Sequence, residues 1–176
     1  MNSQVKQYLQ QYYDIYDSKI IFDNDYKFIK DIFAKKNTCQ SRIVIVGDNI
    51  ERDLKVNNGS IIDDSLILLD KILHSINLKK NKVFFLDSHN QCNDKRSLKN
   101  QLSFISPRLI IVLGKAVKFF FDGKDDLNEL RNKIHHYESS DLIVTFHPAD
   151  LLKKPRLKRD TWEDFKFIRD KYLNGK

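Results

Sequence analysis

Four apolar runs punctuate the chain, and each is followed by a glycine or by polar residues. They span 42–46, 82–86, 108–114 and 141–146. Continuous runs rich in β-branched residues are typical of strands that are buried on both faces of a parallel sheet. We therefore predict four strands, most of them parallel.

Between and around these runs, apolar residues recur at the spacing of an amphipathic helix. The predicted helices are 4–16, 25–36, 66–76, 95–105, 115–121 and 157–173. Residues 126–140 show a weaker pattern, which indicates a helix followed by a loop. The last helix is expected to bury Trp162 together with its other apolar residues.

Alternating strands and helices predict an α/β protein. The expected architecture is a three-layer α/β/α sandwich around a mostly parallel, four-stranded central sheet. A length of 176 residues suits one domain. Its N-terminal helices would occupy residues 1–38 and its core residues 42–176.

The charge balance limits the partners. Lys and Arg number 31 against 24 Asp and Glu, a net charge of +7, which permits a polyanion such as DNA as partner. No apolar stretch approaches the roughly 20 residues of a membrane helix, so no membrane partner is expected. The N-terminus lacks an apolar signal segment, and we expect a cytoplasmic protein.

Polar residues follow the predicted strands at their carboxyl ends. These segments are Gly47-Asp48-Asn49, Asp87-Ser88-His89-Asn90, Gly114-Lys115 and His147-Pro148-Ala149. In open parallel sheets the carboxyl ends meet at one edge, and ligands bind outside that edge. The sequence therefore predicts a site built from these four segments.

The segment around His147 is the most informative of the four. Pro148 stops the preceding strand from continuing as a central member of the sheet. Five cations then follow within seven positions: Lys153, Lys154, Arg156, Lys158 and Arg159. A histidine at a strand end beside a basic segment is typical of a site that binds a phosphate-bearing ligand.

Other kinds of site are disfavoured by residue spacing. Cys39 and Cys92 are too few for a disulfide scaffold, and both are expected to be thiols. The zinc-capable residues show no recognised ligand spacing, so no metal is expected; they are His89, Cys92, His135, His136 and His147. Gly114-Lys115 lacks the remaining residues of a phosphate-binding P-loop, and no G-x-S-x-G nucleophile motif is present.

The order of motifs resembles the uracil-DNA glycosylase superfamily, especially its family 4. That family has a Gly-Glu-Ala-Pro-Gly loop, a Leu-Leu-Asp-Lys helix, a strand that ends in asparagine, a Pro-x-x-Ile-Val-x-Leu-Gly strand, a His-Pro motif and a Trp-x-Asp motif. The corresponding segments here are 46–49, 68–71, 84–87, 107–114, 147–152 and 162–164. The resemblance covers roughly residues 42–170.

This resemblance implies base excision, in which a nucleotide is flipped into a pocket and its base is removed. It assigns catalytic roles to Asp48, which would activate water, and to His147, which would stabilise charge on the leaving base. Substrate-binding residues would be Gly47, Asn49, Asp87, Pro148 and Ala149. DNA-phosphate contacts would be Lys153, Lys154 and Arg156.

Several positions depart from the family pattern. Asp87 stands where the family has asparagine, and an ionised carboxylate accepts hydrogen bonds but does not donate them. Ser60 or Ile61 occupies the position of a base-stacking aromatic ring. Two cysteines cannot supply the four thiolates of the family's iron–sulfur cluster, so no cofactor is expected.

The leading hypothesis is a divergent uracil-DNA glycosylase-like protein that binds DNA and removes uracil or another deaminated base. The alternatives that stay open are a catalytically inactive module of the same fold, acting through DNA or protein, and a small-molecule enzyme. Asn49 competes with Asp48 as the residue that positions water. A protein partner would use the N-terminal helix, through Tyr12, Tyr13 and Tyr16.

Overall fold

The structure is a computed structural model that describes residues 42–48, 64–79, 82–88, 95–121 and 126–174, apart from the side chains of 95–97 and 104. Contacts divide the chain into two compact units, Met1–Thr38 and Cys39–Lys176, and the described residues belong to the second. The helices predicted at 4–16 and 25–36 lie outside them, as do Cys39, Asn49, Ser60, Ile61, His89 and Cys92. The assignment of the whole chain to one domain stays a prediction.

The second unit alternates strands and helices. Its strands are β1 (Ile43–Gly47), β2 (Val83–Asp87), β3 (Leu109–Leu113), β4 (His135–Tyr137) and β5 (Ser140–Thr145). Its α-helices are α1 (Asp64–Ser75), α2 (Lys95–Ile105), α3 (Leu127–Leu130), α4 (Pro148–Lys153) and α5 (Leu157–Ile168). A 3₁₀ helix spans Gly114–Phe119, and a π-helical turn, Arg169–Leu173, follows α5. None of the described helices has the length and apolar content that crossing a membrane requires.

The strands form one sheet in the order β2-β1-β3-β5-β4. The β2–β1, β1–β3 and β3–β5 pairs are parallel. The predicted α/β sandwich with a mostly parallel central sheet is therefore confirmed. The register sets Gly47 beside Asp87 and Leu113 beside Thr145, so the four carboxyl ends meet at one edge.

The described sheet has a fifth strand, which corrects the predicted four. β4 pairs antiparallel with β5 through a two-residue loop of Glu138 and Ser139. Glu138 turns the chain with a φ of 52°, in the left-handed region where glycine or asparagine is usual. The loop therefore carries no recognisable turn signal, and residues 135–140 were expected to be a loop.

Both faces of the central strands are buried, as continuous apolar runs require. All residues of β1 and β3 are buried. On one face, α1 and α5 contribute Leu69, Leu73, Phe165 and Ile168 to a common core with Ile45 and Ile111 and their neighbours. Packing of both helices against this face holds the sheet edge that carries the polar strand ends.

Helix α5 contradicts one prediction. Its buried residues are Thr161, Asp164, Phe165 and Ile168, whereas Trp162 is 37% exposed. The buried residues recur every three or four positions and so form one stripe. Trp162 is next to that stripe but outside it, because Thr161 and Asp164 occupy the core positions that flank it in sequence.

A buried ion pair fastens α5 to the end of β5. Arg131 donates to both carboxylate oxygens of Asp164, from Nε at 2.8 Å and from Nη2 at 3.1 Å. Thr145, the last residue of β5, donates to the same carboxylate at 2.6 Å. Burial raises the pKa of the Asp164 carboxyl, and the hydrogen bonds from Arg131 and Thr145 act in the opposite direction.

The first prediction concerns this ion pair. Asp164→Ala would leave the guanidinium of Arg131, only 7% exposed, without its bidentate partner. We expect the free energy of unfolding to fall by about 3–5 kcal/mol, measured by chemical denaturation. Asp170→Ala is the control, because the Arg169–Asp170 pair is at the surface. A change of less than 1 kcal/mol in Asp164→Ala would contradict this role for the pair.

Candidate active site

A cavity of about 190 Å³ opens at the edge where the strands end. It is lined by Asp48, Ser65, Lys115, His147, Ala149, Asp150 and Lys153. The strand order reverses between β1 and β3, since β1 leads through α1 to one side and β3 pairs on the other. Asp48 follows β1 and Lys115 follows β3, so the cavity lies at the switch point where open α/β sheets bind ligands.

Helix α4 fixes the orientation of the His147 ring. His147 is the N-cap of this helix, and its Nδ1 accepts a hydrogen bond from the backbone N–H of Ala149 at 3.2 Å. Nδ1 therefore carries a lone pair. The other nitrogen, Nε2, lies 3.0 Å from the backbone carbonyl oxygen of Asp48, which can only accept. These two contacts together specify a neutral ring with its proton on Nε2.

Asp48 contributes to the site in two ways. Its backbone carbonyl accepts the proton of His147 Nε2, while its carboxylate accepts a hydrogen bond from the hydroxyl of Ser88 through Oδ1. Ser88 in turn is held at the end of β2, where its backbone N–H donates to the carbonyl of Gly47 at 3.0 Å. The ends of β1, β2 and β5 are therefore linked through one aspartate.

Gly114 makes room for this arrangement. It follows β3 with a φ of 55°, a conformation that strains any residue with a side chain. A Cβ atom built on it would lie 2.7 Å from Cβ of His147 and 3.5 Å from Oδ2 of Asp150. The sequence showed this glycine as a strand end, but only the three-dimensional arrangement shows that it faces His147.

The structure brings some of the predicted residues together and separates others. Asp48, His147 and Ala149 line the cavity, and Pro148 is buried at the start of α4. Asp87 ends β2 beside Gly47, but neither residue is among the described residues that line the cavity. Asp87 is partly buried and has interactions of its own.

Three lining residues were not predicted to belong to the site: Ser65, Lys115 and Asp150. Ser65 is buried in the first turn of α1, where the sequence indicated only a helix cap. Lys115 follows Gly114, and its position next to a strand end was the available signal. Asp150 lies in the first turn of α4, between the histidine and the basic segment.

The basic segment is on the surface beside the cavity. Lys153 ends α4 and lines the cavity, and Lys154 and Arg156 belong to the exposed turn before α5. Lys158 and Arg159 follow in the first turn of α5. None of these five cations forms an ion pair with a residue that the structure describes, so their charges are available to a ligand.

The buried Arg131–Asp164 pair supports the cavity from behind. The guanidinium carbon of Arg131 lies 4.4 Å from the centre of the Phe146 ring, a cation–π contact. Phe146 directly precedes His147, and Thr145, which also binds Asp164, precedes Phe146. Two consecutive residues before His147 are thus held by the same ion pair.

A metal or iron–sulfur centre does not fit this chain. The family's cluster needs four thiolates, and the whole sequence has two cysteines. Among the residues described, no three His, Cys, Asp or Glu side chains are grouped so that they could hold a metal ion. The chemistry of the cavity is therefore derived from its own side chains.

Comparison with known proteins agrees with this geometry. The family model described as "Uracil DNA glycosylase superfamily" matches residues 34–166, which include every described residue of the cavity. The chain belongs to the uracil-DNA glycosylase superfamily. The predicted resemblance is confirmed, and the site at the carboxyl ends of the strands is the site of a member of this superfamily that has diverged in sequence.

Two relatives within the superfamily are named type-4 uracil-DNA glycosylases. The one from Archaeoglobus fulgidus is 26% identical over 153 residues, covering 73% of this chain and 76% of the relative. The one from Sulfurisphaera tokodaii is 32% identical over 88 residues, covering 45% and 40%. An uncharacterized protein from Borreliella burgdorferi is 24% identical over 123 residues, covering 70% and 57%.

The second prediction concerns Gly114. Gly114→Ala adds a methyl group against His147 and a strained backbone, at a cost of at least about 1–2 kcal/mol from the left-handed conformation alone. We expect the His147 ring to be displaced and its bond to the Asp48 carbonyl to be lost. Nitrogen-15 NMR of the ring would report this as a change in the Nε2 resonance.

Lys118→Ala is the matched control, because Lys118 is an exposed residue of the same 3₁₀ helix. It should leave the ring resonances unchanged. A Gly114→Ala protein with the stability and the His147 resonances of the parent would show that the close approach does not constrain the site.

Proposed function

We propose that the chain binds DNA and hydrolyses the N-glycosidic bond of uracil or of another deaminated base. The observation that carries the proposal is the neutral His147 ring, with Nε2–H held as a donor beside the cavity. The superfamily membership and the two type-4 relatives support the same reaction class. Neither is a measurement of activity.

His147 would stabilise the departing base. When the glycosidic bond breaks, negative charge develops on a carbonyl oxygen of the base, and a fixed donor lowers the barrier. Nε2–H already donates to a carbonyl oxygen, that of Asp48, at 3.0 Å. A base carbonyl is the same kind of acceptor and would replace it. The bond from Ala149 would keep the donor nitrogen directed at the substrate.

Asp48 would activate the attacking water. A general base must lie within hydrogen-bond reach of the proton it removes. The carboxylate is positioned by Ser88 through Oδ1, and Oδ2 would accept the proton from water. Asn49, outside the described residues, remains the competing candidate for positioning that water.

The remaining assignments extend the same pocket. Gly47, Asn49 and Asp87 would bound the base on the side of β1 and β2, and Pro148 and Ala149 would bound it on the side of α4. Lys153, Lys154 and Arg156 would bind DNA phosphates, which fix the position of the duplex without reading its sequence. Their exposure and lack of described ion pairs support that role.

A second candidate function is a binding module that has lost the reaction. It is favoured by Asp87, whose carboxylate offers acceptors where the family's asparagine also offers a donor. In that case the cavity would hold an unpaired nucleotide without releasing its base. Binding without base release is the result that would distinguish it.

The third prediction tests the reaction. His147→Ala should lower the single-turnover rate of uracil release from an oligonucleotide by about 10²–10³-fold, because a charge-stabilising donor is lost. Asp48→Asn should lower it by about 10²–10⁴-fold, because the base is lost. Released uracil, or alkali-labile abasic sites, would be measured with uracil, hypoxanthine and other deaminated bases in single and double strands.

His136→Ala is the matched control for this experiment. His136 is a histidine of β4 whose ring is 76% exposed and pairs with Asp141. Its removal should leave the rate unchanged. Equal rates for the parent and His147→Ala, or release by neither on any of these bases, would contradict the proposed reaction.

The fourth prediction tests the phosphate contacts. Replacing Lys153, Lys154 and Arg156 together by glutamine should flatten the dependence of log affinity on log salt by about 0.9 for each lost duplex contact. Binding would be measured by fluorescence anisotropy at several salt concentrations. The control is a protein with the same change of charge at the exposed Lys71, Lys79 and Lys133. Equal slopes for both triple variants would contradict the assignment.

A further inference from the structure

Two aromatic side chains of α5 are equally exposed but lie in different surroundings. Trp162 and Phe167 are each 37% exposed. Lys158 and Arg159 are four and three positions before Trp162, which makes both its neighbours on the helix surface. The corresponding neighbours of Phe167 are Glu163, four positions before it, and Asp170, three positions after it.

The rest of the helix confirms that these are two separate surfaces. Successive residues of an α-helix are about 100° apart. Viewed down the axis, Trp162 therefore lies between Lys158 and Arg159, on one side of the buried stripe formed by Thr161, Phe165 and their neighbours. The acidic residues Asp160 and Glu163 fall on the other side.

The acidic residues of α5 are already paired. Glu163 binds Lys166 at 2.9 Å, and Asp160 lies 3.9 Å from the guanidinium of Arg131. Lys158 and Arg159 form no ion pair with any residue in the described part of the chain. The surface around Trp162 therefore presents an indole between two cations whose charges are not neutralised locally.

An indole between free cations suits unpaired nucleic acid. Bases of a single strand stack on aromatic rings, while nearby cations bind the phosphates, and such stacking tolerates any base. A protein partner would be expected to require a larger apolar surface, whereas Trp162 is surrounded by charge. In a duplex the base faces are already stacked on one another and cannot reach the ring.

We propose that Trp162, Lys158 and Arg159 form a binding surface for single-stranded DNA, on which one base stacks against the indole. This inference rests on the proposed function for its ligand, DNA, and on none of the catalytic chemistry. The surface begins in the segment that follows Lys153, which lines the cavity. The strand bound there would be one that continues from the nucleotide held in the cavity.

The chain is suited to a direct test because it has a single tryptophan. Its intrinsic fluorescence therefore reports on Trp162 alone. Titration with a uracil-free single-stranded oligonucleotide should quench this fluorescence and protect the indole from acrylamide. The matching duplex should quench it far less at equal occupancy, with occupancy measured by anisotropy of a labelled DNA.

Variants separate stacking from charge. By anisotropy, Trp162→Ala should bind the single strand between about 5-fold and 150-fold more weakly, as expected for one lost stacking contact. Trp162→Phe retains a ring and should recover most of that loss. Phe167→Ala, matched in exposure, should bind as the parent does. Lys158→Gln with Arg159→Gln should reduce the salt slope by about 1.4, or 0.7 for each contact.

Two results would overturn the proposal. One is a single strand that binds without changing the fluorescence of Trp162. The other is an equal loss of affinity in Trp162→Ala and Phe167→Ala. Neither depends on base release. Quenching without uracil release would support the surface and contradict the proposed reaction, and release without quenching would do the reverse.

Discussion

The hydrogen bond from His147 to the Asp48 carbonyl joins the ends of two strands that are not neighbours in the sheet. β3 lies between β1 and β5, and the chain leaves β3 at Gly114. A side chain on Gly114 would occupy the space that His147 uses, since its Cβ would lie 2.7 Å from Cβ of His147. The site therefore depends on a position where only glycine fits both the backbone and the space.

The histidine is held on three sides by different kinds of interaction. Ala149 orients Nδ1 through the first turn of α4, and Asp48 receives Nε2–H. Behind it, the Arg131–Asp164 pair binds Thr145 and packs on Phe146. A donor fixed in this way loses little freedom when a substrate oxygen replaces the Asp48 carbonyl, which is the property that stabilisation of developing charge requires.

Sequence patterns predicted the strands, the longer described helices, the superfamily and the edge of the sheet where the site lies. They succeeded because buried parallel strands leave continuous apolar runs, and because carboxyl ends must meet at one edge. They missed β4, whose turn at Glu138 has no glycine or asparagine. They also misjudged Trp162, because an apolar residue beside a helical stripe cannot be told from one within it. The roles of Gly114 and of the Arg131–Asp164 pair depend on contacts between distant segments, which no local pattern records.

A crystal structure of the chain bound to DNA tests most directly whether His147 is a preset donor for a departing base. The DNA would carry a uracil nucleotide with a glycosidic bond that resists hydrolysis. We expect Nε2 of His147 to donate to a carbonyl oxygen of the base, with the bond from Ala149 retained and the Asp48 carbonyl displaced. A base bound elsewhere, with Nε2 still on the Asp48 carbonyl, would contradict this role.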